Sequence, residues 1–362
     1  ACTGRKNKLN MSQSNNYCVI MAGGIGSRFW PMSTQKYPKQ FQDILGTGRT
    51  MIQQTYDRIS QLVPKENIFV ITNKEYVELT EQQLPELNSE NIVGEPMMKN
   101  TAACNLYMAK KIADKNPEAN MIVLPADHLI FNTTAYQHDI LKALNYAAQH
   151  ASIVTIGVKP NRPETGYGYI KFDDTVDAEI KKVDQFVEKP DGDTAKLYVA
   201  SGKYLWNAGM FAWHVSTIEN EYKLHAAQIY QTLVRGAKEY NTPEEKEFLS
   251  KNYAAAENIS VDFAIMEKSQ IVYTLSADFD WTDLGIWSSV IEASTKDDNN
   301  NVLIGGTVLN ESNSNNLIIL PGRKKAIIHG LNDMIVVDSG EALLIYPRSE
   351  EHKIKASVQK LH

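Results

Sequence analysis

From residue 17 to about residue 158 the chain alternates short apolar runs with longer segments of helical period, and this alternation limits the fold more than any other feature. The apolar runs predict strands at residues 17–21, 68–72, 121–124 and 153–158. The other segments predict helices at residues 50–63, 74–83, 101–114 and 133–149. Strands that alternate with helices form a largely parallel sheet covered by helices. Because ligands of such α/β sheets bind at the carboxyl ends of the strands, the loops there are the first place to search for chemistry.

The remainder of the chain has a different pattern. Residues 166–214 predict strands around one short helix, residues 216–268 predict helices, and together they suggest a substrate-facing insertion. Seven of the 21 residues from 296 to 316 are Asn, which favours turns, and only short strand-like runs follow. We therefore expect a leader or cloning remnant over residues 1–10 with the true start at Met11, a large α/β domain over 11–295, and a small β domain over 296–362.

Composition argues against two classes of partner. Lys plus Arg total 37 against 43 for Asp plus Glu, a net charge of -6 with no basic block, so we expect no nucleic-acid partner. No apolar run approaches the roughly 20 residues of a membrane span, so we expect a soluble protein without a membrane role. The three cysteines, Cys2, Cys18 and Cys104, have no C-x-x-C spacing and cannot all pair, which favours a reducing, cytoplasmic environment and no zinc site.

The loop after the first predicted strand is rich in glycine and positive charge. Residues 22–31 read AGGIGSRFWP, and residues 36–40 read KYPKQ. Glycine allows backbone N–H groups to approach an anion, and Arg28 and Lys39 add charge, so the loop suits a polyphosphate. A dinucleotide fingerprint would need Gly at Phe29, and a P-loop would need Gly-Lys-Ser/Thr after four residues. A simple glycine-rich turn stays possible.

Two aspartates are candidate metal ligands. Asp127, in LPADH, follows a buried strand, and a carboxylate there suits Mg²⁺, which prefers oxygen ligands. Asp283, in DWTDLG, lies beside a glycine turn. Asp127 could instead be a simple N-cap of the next helix, and for Asp283 an N-cap before residues 286–293 is as good an explanation as a metal role.

The middle section offers groups that suit a sugar phosphate. In FVEKP, Lys189 suits a phosphate and Glu188 suits sugar hydroxyls, although a solvated ion pair at a strand end is the commoner explanation. Neighbours on a strand point to opposite faces, so both reach one ligand only if the chain turns before Pro190. Asn207, in WNAGM, suits polyol recognition through its amide.

No covalent nucleophile is visible. The sequence contains no G-x-S-x-G, no H-E-x-x-H and no cysteine with an obvious histidine partner. A substrate phosphate, with a second pKa of about 6, is mostly dianionic at neutral pH and can itself attack. Positioning and charge neutralisation then suffice for phosphoryl transfer.

In this order the motifs resemble the sugar-phosphate nucleotidyltransferases, and within them the mannose-1-phosphate guanylyltransferases. The stretches that carry the resemblance, between residues 22 and 287, are AGGIGSRFWPMS, YPKQF, EPMMKNTA, LPADH, GYGYI, FVEKP, WNAGMF, SVDFAIMEK and DWTDLGIW. The resemblance implies a Rossmann-like nucleotidyltransferase domain with a mostly parallel mixed sheet, followed by a short left-handed β-helix that contributes to a homodimer. It also implies transfer of GMP from GTP to α-D-mannose 1-phosphate with Mg²⁺, by direct in-line attack of the sugar phosphate.

The resemblance also implies a role for each matching residue. The GTP phosphates would be held by Gly23, Gly24, Gly26, Arg28 and Lys39. The metal would be held by Asp127 and Asp283, and the nucleoside would lie near Glu95 and Asn100. The sugar phosphate would be bound by Gly168, Glu188, Lys189 and Asn207. Lys99 departs from the family, which usually has Arg there, so any contact that needs a guanidinium is in doubt.

Two other functions stay open. The hydroxyl-binding residues do not settle the substituent at C6, so the substrate could be another sugar 1-phosphate, of the manno-heptose or fucose type. The chain could also be an inactive regulatory homologue that senses GDP-mannose. Because no isomerase-like domain follows before His362, we expect the single-activity form.

Overall fold

A computed structural model describes residues 15–235 and 237–361. The predicted leader over 1–10, the start at Met11 and Cys2 lie outside these residues. The chain divides into two compact units. Of the described residues, the first contains those up to Gly23, Tyr56–Pro125 and Ile130–Trp281, and the second contains Gly24–Thr55, Ala126–Leu129 and those from Thr282 onward. The division into domains at residues 295 and 296 stays a prediction.

The strands up to residue 282 are β1 (Asn16–Ala22), β2 (Ile68–Asn73), β3 (Ile92–Glu95), β4 (Asn120–Pro125), β5 (Leu129–Ile130), β6 (Ile153–Val158), β7 (Tyr169–Phe172), β8 (Ile180–Val187), β9 (Tyr204–His214), β10 (Val272–Ser276) and β11 (Trp281–Thr282). Nine of them form one mixed sheet in the order β3-β2-β1-β4-β9-β6-β10-β8-β7. The β3-β2-β1-β4 half is parallel, whereas β9 runs antiparallel to both β4 and β6. The four strands predicted in the first half are confirmed as β1, β2, β4 and β6.

The helices are α1 (Met51–Ile59), α2 (Val77–Gln83), α3 (Asn100–Lys115), α4 (Thr133–Gln149), α5 (Gly192–Ser201), α6 (Val215–His225), α7 (Ala227–Leu233), α8 (Glu245–Asn252), α9 (Trp287–Ala293) and α10 (Ile354–Val358). A short π-helix covers Asp262–Met266. The helix predicted at 50–63 ends earlier, at Ile59, and the one at 74–83 begins with a 3-10 turn. Among the described residues, no helix combines the length and the apolar character needed to span a membrane.

Each unit has its own core. In the first, apolar side chains of the sheet pack with those of α3, α6 and α7, and include Val19, Val123 and Trp213. In the second, Phe29 packs edge-to-face on Trp287 with ring centroids 4.7 Å apart, among apolar residues of the C-terminal strands. The glycine loop is therefore anchored through Phe29 to the core of the second unit.

The last six strands are β12 (Val302–Ile304), β13 (Thr307–Glu311), β14 (Leu317–Ile319), β15 (Lys325–His329), β16 (Met334–Asp338) and β17 (Leu343–Pro347). β12, β14 and β16 pair in parallel, as do β13 and β15, whereas β17 is antiparallel to β16. The Asn residues do more than form turns. Asn301, Asn313 and Asn316 are buried, and Asn316 Nδ2 donates to Asn301 Oδ1 at 2.9 Å. They satisfy polar groups inside the C-terminal region.

Candidate active site

The glycine loop after β1 packs around Lys39. Gly26 has a φ of +70°, and a Cβ there would lie 2.4 Å from Lys39 Cβ, so no larger residue fits. The Lys39 N–H donates to the Ile25 carbonyl at 3.2 Å. Gly24 has open space beside its Cα, and the exposed Arg28 guanidinium makes no hydrogen bond or ion pair with a described residue. The loop thus fixes the lysine and leaves the arginine available.

The ammonium of Lys39 joins the two predicted metal ligands. Its Nζ donates to Asp127 Oδ2 at 2.9 Å and to the main-chain oxygen of Asp283 at 2.6 Å, and its side chain is 5% exposed. We call these three residues the Lys39 cluster; all belong to the second unit. Three residues that the sequence placed far apart therefore form one polar group.

The Asp127 carboxylate is held in its charged form. Burial alone would raise its pKa, but the Lys39 ammonium and His128 outweigh burial, and the pKa of Asp127 lies below its ordinary value. The side chain is 36% exposed, and Oδ1 accepts no hydrogen bond from a described residue. Asp127 therefore offers one open, charged oxygen ligand.

The explanation of both aspartates as helix N-caps is wrong. α4 is capped by Asn132, whose side chain accepts from the Ala135 N–H, rather than by Asp127. The residue before α9 is Ile286, and Asp283 Oδ1 instead accepts from the Gly285 N–H at 3.0 Å within its own turn. Over residues 15–235 and 237–361, no group of three or more His, Cys, Asp or Glu residues could hold a metal.

A second group of predicted residues lies in the first unit. β8 ends at Val187, and Lys189 has a φ of +49°, so the chain turns before Pro190. Lys189 Nζ lies 2.7 Å from Glu188 Oε1. A Cβ on Gly168 would lie 2.5 Å from Glu188 Oε2, so a larger residue there would displace the Glu188 carboxylate, and the Asn207 N–H donates to the Gly168 carbonyl at 2.8 Å. We call these four residues the Glu188 cluster.

Sequence reasoning missed Asp262. It begins the π-helix, and its Oδ1 accepts a hydrogen bond from Asn207 Nδ2 at 3.0 Å. Burial, and next the negative charge of Glu188, raise the pKa of Asp262 to about 6. The only signal in the sequence was its place in SVDFAIMEK, which carried the resemblance without a role for this residue.

The two predicted nucleoside residues lie in different surroundings. Glu95, at the end of β3, is buried, accepts a hydrogen bond from the Tyr253 hydroxyl, and would lie 3.9 Å from a Cβ on Gly23. Burial raises the pKa of Glu95 to about 7, although the hydrogen bond from Tyr253 acts in the opposite direction and lowers it. Asn100 is exposed at the start of α3 and donates to Asn258 Oδ1, while Lys99 donates to the Ala254 carbonyl. The structure shows no hydrogen bond between Asn100 and Glu95.

Replacing Gly26 tests how far the loop depends on glycine. Gly26→Ala should lower the free energy of unfolding by about 2 to 4 kcal/mol, because it adds both left-handed strain and overlap with Lys39. Gly48→Ala is the matched control: it has a φ of +84° in an exposed loop with nothing near its Cβ. Urea unfolding of both variants separates strain from overlap. An equal loss in the two would show that overlap with Lys39 does not matter.

The comparisons with known proteins agree with this fold. The nucleotidyl transferase family profile matches residues 17–300, and the chain belongs to that family. It is 36% identical to the mannose-1-phosphate guanylyltransferases of Klebsiella pneumoniae and Escherichia coli, over 95% of this chain and 73% of each relative. It is also 36% identical to the alginate biosynthesis protein AlgA of Pseudomonas syringae, over 95% of this chain and 71% of AlgA.

A solved structure extends the agreement to three dimensions. The structure named mannose-1-phosphate geranyltransferase, from Thermus thermophilus, superposes with a TM-score of 0.85 at 28% identity, and covers 96% of this chain and 99% of its own. The resemblance to mannose-1-phosphate guanylyltransferases inferred from the motifs is thus confirmed, and so is the Rossmann-like α/β nucleotidyltransferase fold.

Proposed function

We propose that this chain transfers GMP from GTP to α-D-mannose 1-phosphate, giving GDP-mannose and pyrophosphate. The observation that carries the proposal is the Glu188 cluster, which combines a carboxylate, an amide and an ammonium group. These are the groups that recognise sugar hydroxyls and a phosphate. The names of the relatives support mannose as the sugar and guanine as the base.

The glycine loop suits the triphosphate. The backbone N–H groups of Gly23, Gly24 and Gly26 would approach the phosphates, and the Lys39 ammonium would neutralise charge beside them. Arg28, exposed and permanently charged, would act on the leaving pyrophosphate, because a guanidinium binds phosphate oxygens through two hydrogen bonds. Glu95 and Asn100 would lie near the nucleoside.

The donor set of the Lys39 cluster fits Mg²⁺. Asp127 offers a charged, open oxygen, and Asp283, whose main-chain oxygen accepts from Lys39 Nζ, would supply a second carboxylate. Proteins commonly bind Mg²⁺ through one or two carboxylates and leave its other positions to water and substrate phosphates. When bound, the ion would neutralise charge that develops on the transferring phosphate.

The sugar phosphate itself would be the nucleophile. Lys189 would hold its phosphate, Glu188 and Asn207 would bind its hydroxyls, and Gly168 would contact the sugar through its backbone. A dianionic phosphate needs no general base, so these residues act by orienting it for in-line attack.

We also infer that the last strands form a short left-handed β-helix that helps to build a homodimer. Three parallel pairs, Thr307 with Lys325, Ser314 with Asn332 and Leu317 with Ile335, share an offset of 18 residues, as expected for successive coils of equal length. The first coil is shorter, since Val302 pairs with Leu317 at an offset of 15 residues. Exposed Leu309 and Ile327 lie opposite each other in register, and such apolar pairs suit a subunit contact. A cytoplasmic location without nucleic-acid or membrane partners belongs to the same proposal.

An assay of pyrophosphate release tests the function. Purified protein should release pyrophosphate from GTP with mannose 1-phosphate, in a Mg²⁺-dependent way, faster than with ATP, UTP or CTP. A panel that includes manno-heptose and fucose 1-phosphates tests the alternative sugars. Faster turnover with one of those would reassign the substrate, and no turnover with any pair would favour an inactive regulatory homologue.

A further inference from the structure

The Asn207 side chain has almost no hydrogen-bonding capacity left for a ligand. Its Oδ1 accepts from the Gly209 N–H at 3.0 Å and from the Thr155 hydroxyl at 3.3 Å, and its Nδ2 donates to Asp262 Oδ1 at 3.0 Å. A carbonyl oxygen has two lone pairs and an amide nitrogen has two protons. One N–H is all that stays available, so Asn207 can meet a sugar hydroxyl only as a donor.

The orientation of this amide is set by its neighbours. A backbone N–H must face an oxygen, and a carboxylate must face an N–H, so Gly209 and Asp262 together exclude the flipped amide. A hydroxyl that accepts from Asn207 still has its own proton to donate. It therefore needs an acceptor close to Asn207.

Two carboxylates face this position. The Glu188 side chain is 8% exposed, and its Oε2 is buried without a hydrogen-bond partner among the described residues. Asp262 uses Oδ1 for Asn207, and its Oδ2 makes no hydrogen bond with a described residue. A buried acceptor without a partner, such as Glu188 Oε2, is costly unless a ligand satisfies it. Asp262 also lies in a π-helix, a rare element that is frequent at functional sites.

We propose that Asp262 is a further substrate-binding residue, which accepts a hydrogen bond from a sugar hydroxyl while it holds the Asn207 amide as a donor. This inference rests on the proposed function, because it assigns a ligand to the same sugar site. The high pKa of Asp262, about 6, agrees with a carboxylate placed beside Glu188 before a ligand arrives.

Asp262→Asn tests the proposal. The amide can still accept from Asn207 but replaces Oδ2 with a donor, so the affinity for mannose 1-phosphate should fall roughly 10- to 100-fold. Binding of inorganic phosphate should not weaken, and the KM for GTP should stay unchanged. Calorimetry with both ligands and steady-state kinetics measure these values. Asp184→Asn is the control: it makes the same change at an exposed position of β8.

A swapped pair separates substrate binding from structure. Asn207→Asp with Asp262→Asn restores a hydrogen bond between the two side chains, so the thermal unfolding temperature should recover. Mannose 1-phosphate binding should stay weak, because the donor and the acceptor have exchanged places. Tight binding by the swapped pair, or by Asp262→Asn alone, would overturn the proposal. If the unchanged protein turns over no sugar 1-phosphate, the proposed function fails instead.

Discussion

Asp127→Asn is expected to lower kcat by roughly three orders of magnitude, because a lost metal carboxylate removes several kcal/mol of charge stabilisation from the transfer step. The carboxylate oxygen that would be replaced is charged and open, and the Lys39 ammonium beside it stays in place. The Mg²⁺ concentration for half-maximal rate should rise as well. Initial rates of pyrophosphate release over a range of Mg²⁺ concentrations measure both effects.

Asp338→Asn is the matched control for this experiment. Asp338 also pairs with a lysine, Lys324, in the second unit, accepts from the Gly340 N–H at 2.7 Å, and has a pKa below its ordinary value because of the Lys324 hydrogen bond. Its loss should reduce stability and leave kcat near that of the parent. A near-normal kcat with unchanged Mg²⁺ dependence in Asp127→Asn would remove Asp127 from the metal site.

The sequence predicted the elements whose hydrophobic pattern is long and regular. β1, β2, β4 and β6 each have at least four apolar residues and at least five buried positions, so their pattern is unambiguous. β3 was not predicted, because its four residues include Gly94 and end on Glu95. β10 was not predicted either, although it lies in the middle of the sheet. Short strands are stabilised by their neighbours, which a local pattern does not contain.

The candidate site could be predicted as single residues but not as contacts. Motif order and resemblance identified Lys39 and Asp283, yet 244 residues separate them, and only the fold shows that Lys39 Nζ reaches the Asp283 main-chain oxygen. The role of Asp262 was harder still to predict. Its segment has a helical pattern, and its hydrogen-bond partner Asn207 lies 55 residues earlier in the chain. The Asn-rich segment was predicted as turns because composition cannot distinguish an exposed Asn from a buried one.

Glu95→Gln should stabilise the protein at pH 8 and impair its use of GTP. The folded pKa of Glu95 is about 7 against an ordinary value of 4.5, so between these values the folded chain binds a proton that the unfolded chain releases. The folded chain therefore loses stability relative to the unfolded chain as pH rises from about 4.5 to about 7. Above pH 7 the full loss in the free energy of unfolding is about 3 kcal/mol. Glutamine does not ionise and escapes that penalty.

The two effects of Glu95→Gln distinguish a residue kept for binding from one kept for folding. Urea unfolding at pH 5 and pH 8 should show a gain over the parent of less than about 1 kcal/mol at the lower pH and of up to about 3 kcal/mol at the higher. The KM for GTP should rise roughly tenfold or more, as expected when a charged acceptor is lost, with the KM for mannose 1-phosphate unchanged. Glu118→Gln, at an exposed position, makes the same chemical change as a control.

A Glu95→Gln variant that gains no stability at pH 8 would contradict the raised pKa, and an unchanged KM for GTP would remove Glu95 from the nucleoside site. If both expectations hold, Glu95 lowers the stability of the fold because it is buried beside Tyr253, and its role in nucleotide binding explains why a carboxyl group is present there.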